Sequence, residues 1–177
     1  MELTKNPFYI LSATSRDGRR RLMELTEERS LLFNEEECRD AYSVLTNPRK
    51  RLSAEIAWFS GVRPTKIEEL LNLAENSPEK ILDEESLPSL ARANILAEGI
   101  THISPSDAAT LSPWLIAIDE AFDYTDAEDV LSLINSERVI AGFPEISDVS
   151  LIEEELENCR SSYRSAIKIA LNKLPSR

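Results

Sequence analysis

One histidine, two cysteines and four glycines in 177 residues leave little room for several kinds of chemistry. The lone histidine, His102, has no second imidazole with which to share a metal site. It stands near Ser104 and Ser106, but no nucleophile elbow or activating partner accompanies it. So few glycines form neither a phosphate-cradling Walker loop nor a dinucleotide fingerprint, and both motifs are absent. Cys38 and Cys159 are too few for a disulfide scaffold and read as small apolar core residues. No apolar run reaches the roughly eighteen residues that a membrane-spanning helix requires. The opening residues, Met1 to Asn6, lack the basic region and apolar stretch of a secretion signal. These absences predict a cytoplasmic protein that is not an enzyme, has no cofactor and no metal site, and does not enter a membrane.

Net positive charge is also lacking. The chain carries −12 overall, distributed unevenly: residues 1–63 hold 11 Lys/Arg against 10 Asp/Glu, whereas residues 64–177 hold 9 against 22. Phosphate backbones are repelled by such a balance, so general nucleic-acid binding is not expected. The change of sign near Val62-Arg63-Pro64 predicts two domains, 1–63 and an acidic 64–177.

What is present is helical. Alternating β-branched patterns are nearly missing, and helix starts are legible as capping residues before proline at Asn47-Pro48, Ser77-Pro78, Ser104-Pro105 and Ser112-Pro113. Thr65 to Glu68 and Thr125 to Glu128 fit the capping box. Helices are predicted over 6–11, 18–33, 34–45 and 48–59. Further ones follow near 66–75, 78–83, 88–98, 105–111, 113–122 and 126–141, then a long last helix from about Asp148 to before Pro175. The second helix has Leu22, Leu25, Leu32 and Phe33 among its apolar members. In the third, Cys38, Ala41, Tyr42 and Leu45 share a face. The last helix repeats apolar residues from Val149 to Leu174 at three- and four-residue steps. No fixed internal repeat supports a solenoid.

Two segments of the first domain carry a pattern. Asn6-Pro7-Phe8-Tyr9-Ile10-Leu11 opens it, and Ala41-Tyr42-Ser43-Val44-Leu45-Thr46-Asn47-Pro48-Arg49-Lys50-Arg51 closes it. In this order, with a helix-length gap between them, they resemble the J-domain, the helical hairpin by which DnaJ-type co-chaperones stimulate DnaK-type chaperones. The resemblance covers about residues 6–58. It implies a short first helix packed on an antiparallel hairpin, then a break and a basic turn. The family's His-Pro-Asp is missing, and Leu32-Phe33-Asn34-Glu35 leaves no room for the loop that holds it. The family's second helix also presents a basic face; here Arg19, Arg20, Arg21 and Arg29 are offset by Glu24, Glu27 and Glu28. Stimulation of chaperone ATP hydrolysis by the usual route is therefore not expected.

The candidate partner-binding residues are Arg16, Arg19, Arg20, Arg21, Arg29, Arg49, Lys50 and Arg51. Cations at a helix N-terminus oppose the helix dipole, so the cluster at 16–21 fits either a grip on an acidic partner or a solvated helix start. The same two readings apply to 49–51. Asp119, Glu120, Asp123, Asp126 and Asp129 lack the order and glycine of a calcium loop and read as a solvated surface. Trp58, Phe59, Trp114, Phe122 and Phe143 read as core anchors. The expectation is an all-α protein: a degenerate J-like hairpin followed by an acidic helical segment with a long C-terminal helix. Its function would be that of a non-catalytic co-chaperone-like adaptor or assembly factor. The alternatives are a regulator of a divergent DnaK-type chaperone and a scaffold subunit of a larger bacterial complex.

Overall fold

A computed structural model describes residues 2–175, and helices are the only regular secondary structure among them. The α-helices are α1 (Pro7–Leu11), α2 (Arg19–Ser30), α3 (Glu35–Thr46), α4 (Pro48–Ile56), α5 (Pro64–Asn76), α6 (Ser89–His102), α7 (Ala108–Asp123), α8 (Ala127–Ala141) and α9 (Val149–Asn172). Short 3-10 helices occupy Leu3–Lys5 and Pro78–Asp83. The helices pack as two compact units. One comprises Glu2–Ser60 with Ala127–Glu155; the other comprises Gly61–Asp126 with the chain from Leu156 onward.

In the first unit, capping chemistry sets most boundaries. Asn6 caps α1 by accepting from the Phe8 amide at 3.0 Å, while its Nδ2 donates to the Ala54 carbonyl of α4 at 3.0 Å. One side chain thus starts one helix and fastens it to another. Asn34 accepts from the Glu37 amide to start α3, where Glu35, Glu36 and Glu37 complement the dipole. Asn47 accepts from the amides of Arg49 and Lys50 ahead of Pro48. The core is built from Phe8, Leu11, Leu22, Leu25, Cys38, Ala41, Leu45, Leu52, Ile56, Trp58 and Phe59, all buried. From α8, Arg138 enters this core, and Phe143 is buried beyond it.

The second unit is organised around α6, which is buried on nearly every side from Leu90 to Ile100, as a helix that is apolar all round must be. A Cβ added to Gly99 would lie 2.8 Å from Ile81 Cδ1 and 2.9 Å from the Trp114 ring, so glycine sets how closely α7 approaches. Tyr163 of α9 donates to Asn94 Oδ1 at 2.6 Å within this core. Burial raises the phenol well above its ordinary value, and neighbouring Cys159 adds to the effect. The last helix has 24 residues, about 36 Å at 1.5 Å per residue. Its stripe Ile152, Leu156, Cys159, Tyr163, Ala166 and Ala170 is buried.

Several boundaries differ from the sequence-based expectation. The second helix stops at Ser30 rather than 33, which leaves Leu32 and Phe33 in a turn. Thr65 is not a cap, because α5 begins one residue earlier at Pro64. The segments 105–111 and 113–122 form one helix, capped by Asp107, whose carboxylate accepts from the Thr110 amide. This bond and one from the Thr110 hydroxyl lower the Asp107 carboxyl below its ordinary value. Pro113 therefore lies inside α7 near its start, where it removes only one backbone bond.

Candidate functional site

The two helices of the N-terminal hairpin, α2 and α3, are antiparallel neighbours joined by Leu31–Asn34. Their base, where α2 starts and α3 ends, is tied by Arg19, whose guanidinium donates to the Thr46 carbonyl at 3.1 Å. The same guanidinium lies 4.5 Å from the centroid of Phe143. Arg16, Arg20, Arg49 and Lys50 are exposed at this end. Arg20 and Arg21 pair with Glu24 at 3.3 Å, and Arg21 also reaches Glu28 at 3.3 Å. The Glu24 hydrogen bond raises the Arg21 guanidinium above its ordinary value. Such solvated pairs contribute little to stability, because water and salt screen them.

The structure takes Arg51 out of this surface set. Its side chain is fully buried, with Nε donating to Glu55 Oε1 at 2.7 Å and the terminal nitrogens to the carbonyls of Leu45 and Ser15 at 3.1 and 2.8 Å. Glu55 also receives Arg138, whose Nε and Nη2 lie 2.9 and 2.8 Å from Oε2. Arg138 further donates to the carbonyls of Pro48 and Pro144 at 2.7 and 3.1 Å. Arg51 stacks over the Phe143 ring at 4.2 Å. Burial lowers the Arg51 guanidinium from its ordinary value, against the pull of Glu55. Arg51 is thus a core cation, because position 51 turns inward beneath α3 while 49 and 50 turn outward.

Arg29 belongs to the other end of the hairpin. Its Nε donates to the Ile10 carbonyl at 2.9 Å, and its guanidinium stands 3.9 Å over the Phe33 ring. The amides of Leu32 and Phe33 both bond the Arg29 carbonyl, at 3.0 and 2.9 Å. The tip is therefore held on one side by Arg29 and on the other by the Asn34 cap. Yet it is the most exposed apolar stretch of the unit: Leu31, Leu32 and Phe33 are 87, 74 and 56% exposed. The sequence-based expectation places Leu32 and Phe33 on the second helix, which ends before them. The contrary signal was that three consecutive apolar residues before a capping asparagine cannot all share one helical face.

A second exposed apolar pair, Val139 and Ile140 of α8, lies at the base. It is placed there by Ala141, whose carbonyl oxygen would be 2.9 Å from a Cβ on Gly18, the residue that opens the Arg19-Arg20-Arg21 run.

The remaining sequence candidates form no site. The carboxylates from Asp119 to Asp129 are exposed, and among the described residues no group of His, Cys, Asp and Glu is arranged to hold a metal ion. His102 is partly exposed beside Glu98, at 3.0 Å. Trp58 and Trp114 are buried and so are not contact anchors. A groove of about 650 Å³ beside α7 and α9 is lined by Ile116, Phe122 and Ile167 with Asp119, Asp123 and Arg164. Among the described residues no helix is long and apolar enough to cross a membrane. No family model, curated protein sequence or solved structure matches the chain.

Proposed function

We propose that this chain is a non-catalytic protein-interaction module: a co-chaperone-like adaptor or assembly factor that keeps a J-like hairpin for its shape. The observation that carries this reading is the hairpin tip. Three large apolar side chains are presented to solvent on a turn fixed by backbone bonds, a cation–π contact and a cap. Ordered apolar anchors cost little further entropy when a partner covers them, and each is worth about 1.5–3 kcal/mol when fully buried. On this reading the tip stands in for the loop where J-domains hold His-Pro-Asp, and contact through that end of the hairpin needs no stimulation of ATP hydrolysis. A cytoplasmic setting is part of this reading, supported by two cysteines that are both buried as small core residues.

The test is affinity capture from the native host with wild type and with Leu31→Asp/Leu32→Asp. The variant keeps its fold, since exposed substitutions shift stability by within about 0.5 kcal/mol, and loses the partners that wild type captures. An unchanged set of partners sinks the reading.

A second reading, regulation of a divergent DnaK-type chaperone, is favoured by the exposed cations Arg16, Arg20, Arg49 and Lys50 at the base. It requires a change in that chaperone's ATPase rate at saturating chain concentration, abolished by Arg20→Glu/Arg49→Glu. An unaltered rate eliminates it.

A further inference from the structure

The tip and the base of the hairpin are built on one plan with opposite charge. At the tip, Leu31, Leu32 and Phe33 stand between Glu27 and Glu28, which end α2, and Glu35, Glu36 and Glu37, which begin α3. All five carboxylates are exposed. Arg29 is the sole cation from 27 to 37, leaving that stretch at −4. At the base, Val139 and Ile140 form the apolar centre, and the neighbouring segments are net positive, with Asp17, which accepts from the Thr14 amide, their one carboxylate. The contacts of Ser15 with Arg51, Thr46 with Arg19 and Gly18 with Ala141 bring segments 15–21, 46–51 and 138–143 together. Exposed Arg16, Arg20, Arg49 and Lys50 are carried by the segments that meet at this end.

We propose that the tip of one molecule docks on the base of a second copy of this chain. Apolar side chains meet apolar side chains at the centre, and carboxylates meet guanidinium and ammonium groups at the rim. Within a molecule the two patches cannot meet, because α2, with 12 residues, holds them about 18 Å apart. Since the patches differ, the contact is heterologous: it propagates head to tail, as an open chain or a closed ring, and is not a two-fold dimer. Its rim is exposed and weakens with salt, whose screening length is about 10 Å at 0.1 M. This inference rests on the tip being a contact surface, as in the adaptor reading, and adds what the tip can contact.

The experiment is sedimentation velocity on the full purified chain over a wide concentration range, at low and high salt. Wild type is expected to form species that grow with concentration at low salt and recede at high salt. Leu32→Asp/Phe33→Asp and Val139→Asp/Ile140→Asp, each with an unaltered urea midpoint, are expected to be monomeric alone. Mixed, they form a dimer and nothing larger, because one supplies the only working base and the other the only working tip. Arg20→Glu/Arg49→Glu serves as a second base variant, with the same loss and the same complementation. A wild type that stays monomeric, a mixture that stays monomeric, or a wild type that stops at a dimer each overturns the proposal. A monomeric wild type leaves the adaptor reading to its capture experiment. Tip-independent capture by a wild type that does self-associate overturns the adaptor reading alone.

Discussion

Replacing Glu55 by Gln keeps the shape of the side chain but removes the one negative charge between two buried arginines. In the native unit the carboxylate accepts from Arg51 Nε at 2.7 Å and from Arg138 Nε and Nη2 at 2.9 and 2.8 Å. An amide offers one oxygen, and its NH2 then faces the donors of whichever arginine the oxygen does not reach. Two guanidinium groups, each at most 2% exposed, would repel each other without compensation. Breaking a buried pair in this way costs about 3–5 kcal/mol. With a urea slope near 2 kcal/mol per M, the unfolding midpoint falls by about 1.5–2.5 M at unchanged slope. The control is Glu24→Gln, which loses two solvated pairs and should leave the midpoint nearly unchanged. A midpoint for Glu55→Gln within about 0.5 M of wild type refutes the reasoning.

Further outcomes follow from the second unit. Tyr163→Phe strips a buried donor from Asn94 and should lower stability by about 1–2 kcal/mol near neutral pH, read from urea unfolding. Because the folded phenol titrates above the unfolded one, its contribution is intact below about pH 10 and is lost as pH rises beyond it. The gap between wild type and Tyr163→Phe should therefore narrow above about pH 10, and a gap that widens there contradicts the burial argument. Gly99→Ala puts a methyl into the Trp114 ring and should cost about 1–3 kcal/mol by overpacking; a neutral or stabilising result would show that α7 can shift freely.

Local chemistry was legible in part. Asn47 caps its helix as read, because the information lies within three residues, whereas Ser77 makes no side-chain cap bond and Ser112 lies inside a helix. Arg51 shows the opposite case. Within Arg49-Lys50-Arg51 nothing marks the third cation as buried, since its environment depends on Arg138 and Phe143, more than eighty residues away. Leu32 and Phe33 fit the helical spacing of Leu22 and Leu25, and only the early end of α2 turns them out to solvent. Pro113 was misread as a helix start because Asp107 already caps the segment from further upstream. The candidate surface was therefore half legible: its charges could be read, but its apolar centres depended on where helices stop.

The discontinuity of the first unit bears on how the chain is made. Glu55 and Arg138 are 83 residues apart, so at a synthesis rate of about 5–20 residues per second the ribosome delivers the second arginine roughly 4–17 s after the glutamate. During that interval the nascent hairpin lacks α8 and Phe143, and Arg51 has Glu55 without the cover that buries them both. Completion of this N-terminal unit is thus a late event in the life of the polypeptide. A fragment cut after residue 60 would correspond to the waiting intermediate and not to a domain.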